Sequence, residues 1–443
     1  MGRGAVMKII KKKKEIRKDK EIEKIRVKYY FKENTIKEIV KFAAVITAGT
    51  ILFFSYLNFI TYKGELRGEH TLYVKIDGRT GQVLKIDNKY LKKQFFIKNS
   101  RNLEYGTYLI KFKILKITEK NSFTTLEGKI SGYRESGLNF IRKYILGIFD
   151  NLFITNDNLY AFSKASILGE KADISKDMND RFKYTGLAHL IVISGSHISL
   201  VIMGIIRILD GINLGYRIKY IFALLILTLY CMLTGMSPGI MRAYIMGAMM
   251  ILARLIFEKE DSMKSLVVSF VIIVILNPYS IYDISMQLSY AAVIAIIFIY
   301  PPVEKIAEKK FFSKIEGGII ENTLKLLLMS FVIQITSMPL FLYYFKKLPV
   351  FSFFLNIAGV PIGTVLIEVL FLITLLNILK IEILNWILIP LAEFIYNSFE
   401  GFVFMGSRLP MLQVDVNSRI NVMYIFIYYM ILGLFLKILS RKD

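Results

Sequence analysis

The chain has 443 residues, 54% of them hydrophobic, and a formal net charge of +23. Its apolar residues come in uninterrupted runs of membrane length, which excludes a single soluble globule. The one cysteine, Cys231, lies inside such a run, so an intramolecular disulfide is excluded too.

Residues 1–38 read as a basic cytoplasmic leader, with Lys11 to Lys14, Arg17, Lys18 and Lys20 in a mixed-charge run. Residues 39–62 hold a transmembrane anchor, Ile39 to Ile60. It is taken as uncleaved, because the charged leader is too long for a signal peptide and no small-residue cleavage site follows. The basic leader puts the N-terminus inside and residue 63 onward outside.

Residues 63–136 change to period-two alternation, as in Thr71 to Ile76 and Tyr108 to Ile114. Turn signals at Asp77-Gly78, Thr80-Gly81 and Tyr105-Gly106 divide the alternation into about five strands. That pattern predicts a small extracytoplasmic β-barrel, OB-like. Basic residues outnumber acidic ones about two to one there, interleaved with Tyr73, Phe95, Phe96 and Tyr108. Such a surface suits non-specific single-strand binding, although the same aromatics serve equally well as barrel core.

Residues 137–168 predict an amphipathic connector on the membrane surface, with Phe140, Ile141, Ile145, Ile148, Phe149 and Leu152 at helical spacing around Arg142 and Lys143. Residues 169–440 form the polytopic part. Spans fall near 186–206, 218–235, 239–257, 263–277, 284–300, 319–345, 350–379, 382–406 and 420–438. With the anchor, the fold class is an α-helical polytopic membrane protein of about ten transmembrane helices with one β domain. Basic loops at 207–217, 254–264 and 305–314 put both termini inside. Gly359, Pro361 and Gly363 leave 350–379 open between one span and a re-entrant hairpin, which would invert everything after it.

The polar residues inside these spans are the candidate site. The stretch Gly186 to Leu200 carries His189 and His197, two of the chain's three histidines, with Ser194, Gly195, Ser196 and Ser199. Ionisable groups at membrane depth face protein or water, and small residues admit a close neighbour. On one continuous helix His189 and Ser196 share a face, and His197 and Ser194 a neighbouring one. A second stretch runs from Thr234 through Gly235, Ser237 and Pro238 to Arg242. Ser237-Pro238 reads as a helix start, so N-terminal amides and the Arg242 guanidinium make an anion site; a snorkelling arginine reads equally well. Asp283, Gln287 and Ser289 follow, then Gln334 with Thr336, Asn356 and Glu368, each also readable as interhelical glue.

No nucleotide loop, HExxH or cysteine pair is present, so no cofactor, metal site or catalytic residue is expected. At the stretches just described the chain resembles the ComEC family of competence proteins, which carry single-stranded DNA across the cytoplasmic membrane. The family pattern GxxHLxxISGxH is met by Gly186, His189, Leu190, Ile193, Ser194, Gly195 and His197. TGxxPxxxRA is met by Thr234, Gly235, Pro238, Arg242 and Ala243. NP…QLSxxA is met by Asn277, Pro278, Gln287, Leu288, Ser289 and Ala292, with Gln334, Pro339, Asn356 and Pro361 following in order.

The resemblance implies a DNA path past His189, Ser194, Gly195, Ser196, His197, Arg242, Gln287, Ser289, Gln334 and Asn356. It implies single-stranded DNA and cytoplasmic-membrane lipids as partners, with a DNA receptor, a cytoplasmic DNA-translocating ATPase and a separate nuclease, and leaves homo-oligomerisation open. Ser196 departs from the family's usual leucine. The family's C-terminal metallo-β-lactamase-like domain is not expected here, and the chain is not expected to be an enzyme. The rival readings are a secondary transporter of a small anion, using Arg242 and Glu368, and, lower, a membrane-embedded hydrolase using Ser194 or Ser196.

Overall fold

The computed structural model describes residues 52–53, 55–78, 80–98, 101, 103–119, 124–211, 215–310, 318–410, 412–416 and 421–439. The leader 1–38 and residues 39–51 of the expected anchor lie outside the described residues. The chain divides into two units, Met1–Thr61 and Tyr62–Asp443. In the first, residues 55–60 are helical.

The second unit opens with five strands: β1 (Gly68–Asp77), β2 (Thr80–Ile86), β3 (Lys89–Lys98), β4 (Gly106–Glu119) and β5 (Thr124–Ser136). They close into a barrel in the order β1-β2-β3-β5-β4. Neighbours are antiparallel except β3 with β5, and this fits the OB-like domain expected. The alternation turns Leu72, Val74, Ile76, Val83, Ile110, Phe112 and Leu126 inward as a sealed core. Two of the four aromatics considered for a binding surface, Phe95 and Tyr108, belong to that core. Tyr73 and Phe96 are half-buried.

The connector forms α1 (Asn139–Leu152), α2 (Asp157–Ser163) and a π turn, Lys164–Leu168. Its residues divide by exposure. Phe140, Tyr144 and Ile154 are exposed. Phe149, Phe153, Leu159, Phe162 and Leu168, by contrast, enter the largest apolar core, beside Leu366, Leu370, Tyr396 and Phe399. Burial of that apolar face, at about 25 cal/mol per Å², fastens the connector to the bundle.

The bundle continues with α3 (Lys176–Thr185), α4 (Ala188–Ile191), α5 (Gly195–Gly211), α6 (Tyr216–Leu233), α7 (Pro238–Leu255), α8 (Ser262–Leu276), α9 (Ile284–Ile294) and α10 (Tyr300–Lys310). It ends with α11 (Ile319–Phe345), α12 (Ser352–Ile378), α13 (Asn385–Ser407) and α14 (Val422–Leu439). A π turn, Ala295–Ile299, joins α9 to α10, and a short sheet pairs β6 (Lys347–Pro349) with β7 (Gln413–Asp415). Among the described residues five helices are long and apolar enough to cross a membrane: Tyr216–Leu233, Ile284–Lys309, Ile320–Phe345, Ser352–Ile378 and Glu382–Ser407.

Two local expectations are settled. The 350–379 stretch contains no hairpin: α12 is one helix of 27 residues, with Pro361 inside it. Gly359 and Gly363 face inward, where a Cβ would stand 2.7 Å from Leu187 Cδ1 and from Leu190 Cδ1 respectively. These glycines admit neighbouring side chains and do not break the helix. The histidine segment, expected as one helix through 206, is two. Val192 is extended and ends α4, and a new helix starts at Gly195. His189 and Ser196 therefore do not share a helical face.

Candidate functional site

The break between α4 and α5 is built by its own side chains. The Ser194 carbonyl accepts the first helical bond, from Ile198 N–H at 3.3 Å. The Ser194 N–H donates to His197 Nδ1 at 3.3 Å, and the Ser194 hydroxyl lies 3.0 Å from the same nitrogen. This is one half of a capping box: the side chain three residues on accepts from the amide of the residue before the helix. Both donors point at Nδ1, so the exchangeable proton sits on Nε2. His197 is 0% exposed, and its Nε2 is buried without a hydrogen bond of good geometry. Ser194 also meets Ser196, oxygen to oxygen, at 2.7 Å.

Arg242 lies against this new helix start. A Cβ at Gly195 would stand 2.8 Å from Arg242 Nη2, so the guanidinium packs directly on this glycine. Arg242 Nε donates to Ser289 Oγ at 2.7 Å, and Nη1 to Met246 Sδ at 3.4 Å. No carboxylate of a described residue pairs with it, and it is 7% exposed. It does not snorkel. Nearby, a Cβ at Gly239 would stand 2.6 Å from Ser285 Oγ, so the first turns of α7 and α9 touch. The N-terminal turns of α5, α7 and α9 thus gather around one buried guanidinium. Helix N-termini carry partial positive charge, so the spot favours an oxyanion. Asp283, the N-cap of α9, accepts from Met286 N–H at 3.1 Å and tempers that charge at one of the three ends.

The turn before α7 is formed by Gly235 (φ +87°) and Met236 (φ +44°). Pro238 takes the first helical position and Ser237 the N-cap, as expected, yet the Ser237 hydroxyl makes no capping bond. Thr234 is buried and donates back to the Cys231 carbonyl at 3.0 Å. The Thr234, Gly235 and Met236 amides are already bonded, to the Tyr230, Met232 and Cys231 carbonyls.

Residues 166–442 match the family model described as "Competence protein". The chain belongs to the competence-protein family. Among curated relatives, ComE operon protein 3 of Bacillus subtilis (strain 168) is 25% identical over 224 residues, 51% of this chain and 27% of that protein. An uncharacterised protein, YcaI, of Escherichia coli (strain K12) is 27% identical over 207 residues, 44% of this chain and 26% of that protein. The chain thus spans about a quarter of the length of the relatives it matches. No solved structure matches.

Within the competence region the other candidates divide. His189 is exposed, and its Nδ1 meets the Gly186 carbonyl at 3.0 Å. Ser196 and Ser199 are also exposed. Gln287 is occupied at both ends: its amide donates to the Ile281 carbonyl at 2.8 Å, and its oxygen accepts from Tyr344 at 3.0 Å. Gln334 donates to the Val350 carbonyl at 3.2 Å. Asn356 Oδ1 is buried without a partner. Glu368 is exposed on α12, without an ion pair to a described residue.

Sequence reading missed three residues that precede the competence match. Lys75 of β1, Tyr105 before β4 and Arg142 of α1 meet where the barrel joins the bundle. The Lys75 ammonium and the Arg142 guanidinium lie 5.5 and 4.8 Å from the centre of the Tyr105 ring. The Tyr105 hydroxyl donates to the Gly169 carbonyl at 3.0 Å. Lys75 alternates like every outward strand residue, so nothing in its spacing marks it. Arg142, 3% exposed, did carry a signal, as a cation inside an apolar run.

Proposed function

We propose that this competence-family protein conducts single-stranded DNA across the cytoplasmic membrane. The observation that carries the reading is Arg242, buried without a carboxylate among three helix N-termini and faced by the Ser289 hydroxyl. Passing a polyanion requires contacts that hold phosphates weakly and repeatedly, and hydroxyls, amides and few cations provide them. About ten spans, an N-terminus inside and a barrel outside complete the proposal. Sidedness has support from the contacts: β3 packs on the Pro278–Tyr282 turn, and Lys75 meets the Gly235 turn. The basic stretches near 207–217 and 254–264 lie at the other ends of those helices, joined by Tyr216, whose hydroxyl donates to the Arg254 carbonyl at 2.9 Å. A DNA receptor, a cytoplasmic translocating ATPase and a separate nuclease are the partners such a conduit needs.

The test is DNA uptake by cells carrying Arg242 variants at normal expression. Arg242→Ala should abolish uptake, and Arg242→Lys should reduce it, because an ammonium cannot keep the fork that reaches Ser289. Full uptake by the alanine variant overturns the reading. If these variants change flux of a small anion and leave DNA uptake alone, the transporter reading replaces it.

One observation favours a second reading. Ser194 Oγ lies 3.0 Å from a nitrogen of His197 that can accept its proton, which is the geometry of a nucleophile and its base. Against it, no carboxylate orients Nε2, and the same contact is fully used in starting α5.

A further inference from the structure

At the junction of barrel and bundle, Lys75 and Arg142 make no ion pair with a described residue. Lys75 makes no ion pair or hydrogen bond with a described residue, although it is packed against the Gly235 turn. A Cβ at Gly235 would stand 3.0 Å from its Nζ. Beside it, Arg142 spends Nη2 on the Leu233 carbonyl and Nη1 on Asn139 Oδ1 at 3.4 Å. Its Nε is buried with no partner. Lys171 adds a third positive charge within electrostatic reach of Lys75. The acids nearby do not close the account. Glu170 and Asp173 are held by Lys164, at 3.1 and 2.5 Å, and Asp77 acts on Lys75 from beyond contact distance.

Two cations on one aromatic ring repel each other, and cation–π attraction does not neutralise either. A doubly acceptor-rich anion placed between them would satisfy the Lys75 ammonium, meet the orphan Nε and remove the repulsion. The location is specific. Gly169, which accepts from Tyr105, also packs on Ile193 and on the Thr234 carbonyl; a Cβ there would stand 3.2 and 3.6 Å from them. Ile193 leads directly into Ser194 and Gly195, where Arg242 lies. The junction and the Arg242 cluster are therefore contiguous through one short run of backbone.

We propose that Lys75 and Arg142, set on Tyr105, form a phosphate site at the mouth of the bundle. Resting on the DNA-conducting reading, its occupant is a backbone phosphate of the strand leaving the barrel, and Arg242 is the next cation on the way. The side chains facing Lys75 are Arg142, Tyr105, Asp77 and Lys171. Burial first, then Arg142, draw its pKa down to about 8 against the opposing pull of Asp77. The free amine is thus available to acylating reagents at a pH where exposed lysines, near 10.4, remain protonated.

The experiment uses the full chain in phosphatidylcholine nanodiscs, with an amine-reactive ester read by mass spectrometry and a fluorescein-labelled oligothymidylate read by anisotropy. In the wild type Lys75 should be modified with a half-rise near pH 8, and both the oligothymidylate and inorganic pyrophosphate should protect it. Lys75→Gln should lower the slope of log affinity against log salt by about 0.7, the value for one phosphate of a single strand. Lys75→Arg should keep the slope. Oligothymidylate binding that neither protects Lys75 nor loses slope in Lys75→Gln overturns the site and leaves DNA conduction standing. Protection by pyrophosphate with no oligothymidylate binding keeps the phosphate site and overturns DNA as its occupant. Should Lys75→Gln fail to fold, the protection measured on the wild type decides.

Discussion

Ser194 and His197 show how one pair of side chains serves geometry before chemistry. His197 accepts from the Ser194 amide just before α5 and from the Ser194 hydroxyl, one residue before the Gly195 that lies against Arg242. The Ser194 hydroxyl bond to His197 is worth about 1 kcal/mol, and an asparagine amide can donate to the same ring nitrogen. Ser194→Ala should therefore lower thermal stability in detergent and reduce DNA uptake, and Ser194→Asn should restore both. Asparagine cannot act as the hydroxyl nucleophile. If Ser194→Asn folds like the wild type and still takes up no DNA, the hydroxyl itself is required and the hydrolase reading gains what the cap reading loses. Arg242 and Lys75 are alike in a second respect: each cation packs against the backbone of a glycine, 195 or 235.

At the scale of elements, the barrel shows where a glycine is required and where it is not. Both Gly128 and Gly132 lie on β5. A Cβ at Gly128 would fall 2.1 Å from the Lys113 carbonyl oxygen, at an irregularity in the β4–β5 pairing. At Gly132 nothing lies within 4 Å. Because the obstacle at Gly128 is backbone, Gly128→Ala should destabilise the barrel by about 1–3 kcal/mol. Gly132→Ala should be neutral or slightly stabilising, since alanine loses less chain entropy on folding. Equal melting shifts for the two would show that the strand relaxes around the added methyl. In the bundle, the π turn Lys164–Leu168 is buried against α1, α4 and α12. Its Lys164 is accordingly paired with both Glu170 and Asp173.

For the whole molecule, the contacts of the barrel divide the loops into two sets. The turns at Gly235 and Pro278–Tyr282 face it; the ends of α5 and α7 near Tyr216 and Phe257, whose rings stack at 4.8 Å, lie away from it. In a Cys231→Ala background, an impermeant maleimide added to intact cells should label Asn88→Cys, at the exposed tip between β2 and β3. It should spare Glu258→Cys, in the basic stretch after α7, until the membrane is opened. Labelling of Glu258→Cys from outside would reverse the assigned orientation.

The amino-acid sequence by itself determined the class of the protein and most of its elements. Period-two alternation with Gly turns specifies the barrel strands, because inward and outward residues must alternate when one face is sealed. Long apolar runs specify the helices, and the motif spacings point to the competence family. Ser237-Pro238 gave the start of α7 because proline without an N–H is tolerated at that position. What only the tertiary structure decided were the matters that depend on a neighbour from elsewhere in the chain. The apolar run through Ile193 contains no helix breaker, yet it divides at Ser194, because a histidine three residues on accepts the freed amide. Gly359, Pro361 and Gly363 look like a hairpin and make one helix, because Leu187, Leu190 and Phe399 occupy the space the glycines leave. Lys75, one outward lysine among many, is singled out only when Tyr105, Arg142 and Gly235 converge on it. A cation's role follows from the charges and backbone around it, and distant parts of the chain supply those.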